Sequence, residues 1–141
     1  MNEHTRPYAD VIAVLQDYFD GLHHSDTQRL HRAFHPQAVY ATAASDAPLI
    51  LRMDEYFPIV DARPSPASRG EARTDQVVSI EFAGPVTAVA KLRCSIGPKH
   101  FIDLLTLIHV EGRWQVIAKV FHWDGAIAGR RGHLGEDSTG E

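Results

Sequence analysis

The stretch 101–121, FIDLLTLIHVEGRWQVIAKVF, is apolar almost throughout, yet Asp103 sits inside its first half. An ionised carboxylate among apolar side chains is costly unless it finds a partner, reaches water or keeps its proton. Taking Glu111-Gly112 as a two-residue hairpin turn sets His109 opposite Trp114, Leu105 opposite Ala118, Asp103 opposite Val120 and Phe101 opposite His122. Side chains alternate along a strand, so Phe101, Asp103, Val120 and His122 share one face, and Ile102, Leu104, Lys119 and Phe121 the other. Asp103 and His122 are then diagonal neighbours, with Cα atoms about 7–8 Å apart, within reach of a side-chain hydrogen bond. A carboxylate paired with an imidazole in an apolar pocket can act as general base and acid in proton abstraction beside a carbonyl. The structural alternative is that Asp103 bonds a tyrosine, an arginine or the backbone, with His122 at the sheet edge. A one-residue bulge in either strand would exchange the two faces.

The same register tests other chemistries. With Gly97-Pro98 as a turn, Cys94 lies opposite Phe101 and Leu92 opposite Asp103, while Lys91 and Arg93 fall on the second face beside Lys119. Cys94 is two strands from His122, about 9.5 Å, too far for a nucleophile–base hydrogen bond of about 3 Å. His109 lies roughly 20 Å along the strand from Asp103 and cannot join its site. His31 and His35 have an i, i+4 spacing, with His23 and His24 nearby, but the intervening residues lack the glutamate of a zinc-protease motif and Pro36 follows directly. Solvated histidines are the simpler reading, and no metal or cofactor is expected. Tyr18, Tyr40 and Tyr56 are candidates to line a pocket together with Leu92, Cys94, Phe101 and Val120.

The elements that must position these residues are legible from periodicity. Thr5-Arg6-Pro7 reads as a helix start, and Tyr8, Val11, Ile12, Leu15, Tyr18, Phe19 and Leu22 follow at helical spacing. Ser25 with Gln28 matches a capping box for a second, short helix with Leu30, Ala33 and Phe34 on its apolar face, stopped by Pro36. A strand at 38–42, a possible short strand at 49–52 and a third helix at 53–63 come next. The loop 64–74 is rich in turn formers and reads as mobile. Four antiparallel strands in series close the domain, with turns at Gly84-Pro85, Gly97-Pro98 and Glu111-Gly112. Helices followed by a meander give an α+β fold. A strongly curved, mostly antiparallel sheet around the first helix would form a cone with an interior pocket. Both faces of the last hairpin are apolar, so the outer face predicts a homodimer.

The chain has 141 residues, 44% hydrophobic and 23% charged, which fits one domain over 1–124 and a polar, flexible tail over 125–141. A net charge of -4, with Arg130-Arg131 as its one basic pair, gives no reason to expect nucleic acid. The single cysteine, the polar N-terminus and the lack of any membrane-length apolar run predict a cytoplasmic protein.

Two segments carry a resemblance. YFDGLHHSDTQRLHRAFHPQAVY (18–40) resembles the Tyr-x-x-Gly…Asp…Phe-His-Pro-x-Ala opening of the nuclear-transport-factor-2-like superfamily, and FIDLLTLIHVEGRWQVIAKVFH (101–122) its Asp-Tyr-Leu-x-Leu…Gly-x-Trp-x-Ile-x-x-Lys-x-Phe closing hairpin. The pattern looks closest to the bacterial lumazine-binding branch, near the SnoaL-like cyclases. Leu104 stands where the closing motif usually has an aromatic. The resemblance covers roughly residues 7–123. It implies a cone-shaped α+β fold and places His35 at the pocket rim. It also implies a small apolar or aromatic ligand. The superfamily holds isomerases, dehydratases and cyclases as well as non-catalytic binders and dimerisation or assembly modules, so these activities stay open.

Overall fold

A computed structural model describes residues 6–44 and 46–125; the expected cap at Thr5 and the tail from 126 on lie outside the described residues. The first helix, α1 (Arg6–His24), buries Val11, Leu15, Tyr18, Phe19 and Leu22 of the stripe that the three-and-four spacing predicts, while Ile12 is half-buried and Tyr8 at the helix start is exposed. The second, α2 (Thr27–Ala33), is capped by Asp26 rather than Ser25. Asp26 Oδ1 accepts from the backbone N–H of Gln28 and Arg29 at 3.1 and 3.3 Å, while Ser25 takes a left-handed φ of 50° in the preceding turn. Gly21 lets α2 fold tightly back on α1, since a Cβ there would lie 2.6 Å from Leu30 Cδ2. The expected helical place of Phe34 is also corrected. Strand β1 (Phe34–Thr42) begins there and contains Pro36, whose missing N–H coincides with irregular pairing to the neighbouring strand between Phe34 and Val39.

Strand β2 (Leu49–Arg52) leads directly into α3 (Met53–Ala62), where the Glu55 carboxylate accepts from the Arg52 N–H at 2.9 Å. The segment expected to be a mobile loop carries a short 3-10 turn at Ala67–Arg69 and is tied down by side chains. Arg73 reaches Asp20 at 2.9 Å, Glu71 accepts from the Gly97 N–H at 3.0 Å, and the Thr74 and Ser95 hydroxyls are 2.7 Å apart. Strands β3 (Gln76–Phe82), β4 (Thr87–Ile96), β5 (Lys99–Val110) and β6 (Arg113–Gly125) form the antiparallel meander. The six strands run in the order β2-β1-β6-β5-β4-β3, with β1 and β6 parallel. The architecture is α+β, an open, curved sheet with α1 against its concave face. Among the described residues no helix is long and apolar enough to cross a membrane.

The β4–β5 register is the expected one, with Leu92 opposite Asp103 and Cys94 opposite Phe101. The β5–β6 register is not. It follows the hairpin as far as Leu107 opposite Val116 and then slips by one residue, so that Ile117 has no counterpart and Thr106 faces Ala118. The cause lies in β6 itself. Trp114 and Phe121 are both buried but stand an odd number of positions apart, which a strict period of two cannot satisfy. One extra residue restores the phase.

The tight α1–α2 turn makes a direct prediction. Gly21→Ala should lower unfolding stability by about 1–3 kcal/mol through overpacking against the fully buried Leu30, despite the better helix propensity of alanine. Urea denaturation with an unchanged midpoint would show that Leu30 gives way freely.

Candidate functional site

Beyond the slip, every face assignment on β6 is inverted from the expected one. Asp103 faces Phe121, Leu105 faces Lys119 and Ile102 faces His122. Asp103 therefore points into the concave face, as does Lys119, which the regular register had placed outside. His122 is corrected to the outer face, where it is mostly exposed and its Nε2 lies 3.0 Å from Asp124 Oδ1. It cannot partner Asp103. Val120 is corrected in the same way, from pocket lining to an outward, half-exposed position.

What surrounds Asp103 comes from three different elements. The Tyr18 hydroxyl of α1 donates to Asp103 Oδ2 at 2.5 Å, a hydrogen bond spanning most of the chain. Both groups are fully buried. Lys119 of β6 is also fully buried, with Nζ 3.4 Å from the Tyr56 hydroxyl of α3. Its ammonium lies over four rings, with centroids of Tyr18 at 5.0 Å, Phe121 at 5.1 Å, Tyr56 at 5.3 Å and Tyr40 at 5.4 Å. Tyr40 and Tyr56 stack on each other at 4.3 Å, and Tyr40 is the register partner of Lys119 on β1. Ring faces carry the negative end of the π quadrupole and favour a cation, more so away from water. The interior thus holds a carboxylate, a phenol that donates to it and an aromatic-caged lysine, with Leu92 and Phe101 packed around them.

The remaining candidates lie elsewhere. His35 is at the rim of an open groove of about 380 Å³ between α2, the start of β1 and α3, with Phe34, Met53 and Phe57 as apolar walls and His31, Asp54 and Asp61 among its polar ones. His31 packs edge-on against Phe57 at 4.4 Å, and His35 Nδ1 accepts from the Gln37 N–H at 3.0 Å. Cys94 lines a smaller concavity, of about 30 Å³, at the far end of α1, with His23, Arg73 and Asp75. There burial, and then the charge of Arg73, push the His23 imidazole below its ordinary value. Burial pushes Asp75 up, but hydrogen bonding and charge from Arg73 outweigh it and leave its carboxyl below the usual range. Among the described residues no three His, Cys, Asp or Glu side chains gather as a metal site requires.

With that geometry in view, known proteins can be compared. The profile of the family described as Putative lumazine-binding matches residues 7–122. This chain belongs to that family. Its fold is that of the nuclear-transport-factor-2-like (NTF2-like) proteins. An NTF2-like protein of unknown function from Shewanella baltica is 25% identical with a TM-score of 0.74, covering 85% of this chain and 95% of its own. Another from Silicibacter pomeroyi is 18% identical with a TM-score of 0.77, covering 88% of this chain and 100% of its own. A curated relative, the aldolase FrzH of Cladobotryum sp., is 23% identical over 117 residues, which is 82% of this chain and 90% of that protein.

Lys119 is the residue that strand alternation misses. The signal for it was present in the odd spacing of Trp114 and Phe121, since burying both large rings demands a phase change between them. The energetic consequence can be measured. Lys119→Met keeps the packing volume but removes a buried cation beside the Asp103 carboxylate, and should cost about 3–5 kcal/mol of unfolding stability. Adding Asp103→Asn should cost less than the sum of the two single changes. His122→Ala, by contrast, should stay within about 0.5 kcal/mol. Denaturant titrations giving His122→Ala the large loss and Lys119→Met none would restore the regular register.

Proposed function

We propose that this protein binds a small, largely apolar carbonyl compound against its concave face and moves a proton on it without a cofactor, with Asp103 as the base. The observation that carries this reading is the fully buried Asp103 carboxylate with the Tyr18 hydroxyl 2.5 Å away. Core packing alone asks for an apolar side chain at this position, and a buried, hydrogen-bonded carboxylate is the group such chemistry needs. The aldolase FrzH supports the same direction, because an aldol reaction begins with loss of a proton next to a carbonyl. Isomerisation, dehydration and cyclisation share that first step.

The test is solvent-deuterium exchange into small cyclic ketones followed by NMR. The wild type should exchange α-protons faster than buffer. Asp103→Asn, which keeps the shape and an acceptor for Tyr18, should lose about 100-fold or more of that rate. Exchange at the rate of buffer would overturn the reading. A second reading then takes its place, a non-catalytic binder of a flat heterocycle such as the lumazine of the family's name. The aromatic-walled groove of about 380 Å³ beside α3 favours it.

The outer face of the sheet supports a homodimer. Ile50, Ala41, Val120 and Leu104 are successive register partners across β2, β1, β6 and β5. Ile50, Val120 and Leu104 are 72%, 49% and 46% exposed. A contiguous apolar ribbon of this kind suits a second copy of the same sheet. Light scattering at micromolar concentration should give a dimer mass, and Leu104→Lys should reduce it to a monomer; a wild-type monomer would overturn the assignment.

A further inference from the structure

We infer that Lys119 is a second catalytic group, whose ammonium receives the carbonyl oxygen of an enolisable ketone or aldehyde and neutralises the enolate formed when Asp103 takes the adjacent proton. The inference rests on the reading of the concave face as a proton-transfer site, and adds the charge that such a reaction requires. Lys119 lies opposite Leu105, two residues from Asp103 along β5, so the two are diagonal neighbours on one face with Cα atoms about 7–8 Å apart. A base and a cation held across adjacent strands can bracket a single H–C–C=O unit.

The surroundings fix the place of the lysine. Four ring faces within 5.4 Å attract the ammonium. That attraction offsets part of the desolvation cost that full burial places on the charged amine. It also holds the cation in position before charge develops, the arrangement in which electrostatic stabilisation is strongest. The step is balanced within the site. The C–H bond breaks and its proton goes to the Asp103 carboxylate. The electron pair forms the C=C bond, while the carbonyl π pair moves to the oxygen facing Lys119. The enolate then regains the proton at the same carbon or, where a further C=C is conjugated with it, at the far end of that system; alternatively it adds to a second carbonyl of the same molecule to form a C–C bond, and the resulting alkoxide takes the proton back from Asp103. Substrates with a cationic group near the reacting carbonyl are disfavoured by the same charge.

A phenolate is a stable mimic of the enolate, and 4-nitrophenol reports its own ionisation by colour. Asp103→Asn leaves the Lys119 charge unopposed by the carboxylate. At a fixed pH below the free phenol's midpoint, 4-nitrophenol bound to this variant should be ionised about tenfold or more above the free probe. Adding Lys119→Met should abolish that excess, and Lys119→Arg in the same background should retain it. Should the methionine variant fail to fold, Lys119→Gln with Asp103→Asn, which removes both charges, serves in its place. Equal ionisation with and without the Lys119 charge would overturn the role of Lys119 alone. Failure of the probe to bind the wild type or any variant would overturn the interior site itself.

Discussion

The concave face depends on one unpaired residue. Ile117 in β6 shifts the strand by half its repeat, and that shift decides which side chains meet α1. Without it, Lys119 and Phe121 would turn outward and Val120 and His122 inward. With it, Trp114, Val116, Lys119 and Phe121 are all buried, although they do not share one parity. The interior thus gains a ring, Phe121, and the ammonium that sits against it. The same slip moves Val120 out to join Leu104 in the apolar ribbon. The polar interior and the outer surface are two products of a single local irregularity.

Around that constraint the polar interior is assembled from distant parts of the chain. Tyr18 arrives on the first helix, Tyr40 on the first strand, Tyr56 on the third helix, and Asp103 and Lys119 on the closing hairpin. No two of these are less than 16 positions apart in sequence. A buried carboxylate and a buried ammonium each carry a large desolvation cost, offset only when hydrogen bonds and ring faces are in place together. The cluster is therefore cooperative, and its side chains act as a unit.

Much of this was legible in the amino-acid sequence. The α+β order, the amphipathic first helix, the meander and the β4–β5 register follow from periodicity and from Gly97-Pro98 and Glu111-Gly112. So does the inward face of Asp103, because β5 itself contains no irregularity. What failed was local. Alternation cannot register one inserted residue, so it exchanged Lys119 for His122. Pro36 was read as ending a helix, yet an irregularly paired strand also accepts a proline and starts two residues earlier. Ser25 and Asp26 are both good caps, and only the backbone turn at Ser25 decides between them.

The parallel pairing of β1 with β6 has a bearing on how the molecule comes to exist. Every other pairing joins strands consecutive in sequence, but β6, the last strand among the described residues, must also pair with β1, formed near the start of the chain. Until it does, β1 presents an open edge and Asp103 faces the helix without Lys119 on the adjoining strand. Such long-range closure is slow relative to local pairing. On the ribosome the nascent chain would carry Asp103 before Lys119, and the two side chains would meet only when the closing strand completes the sheet.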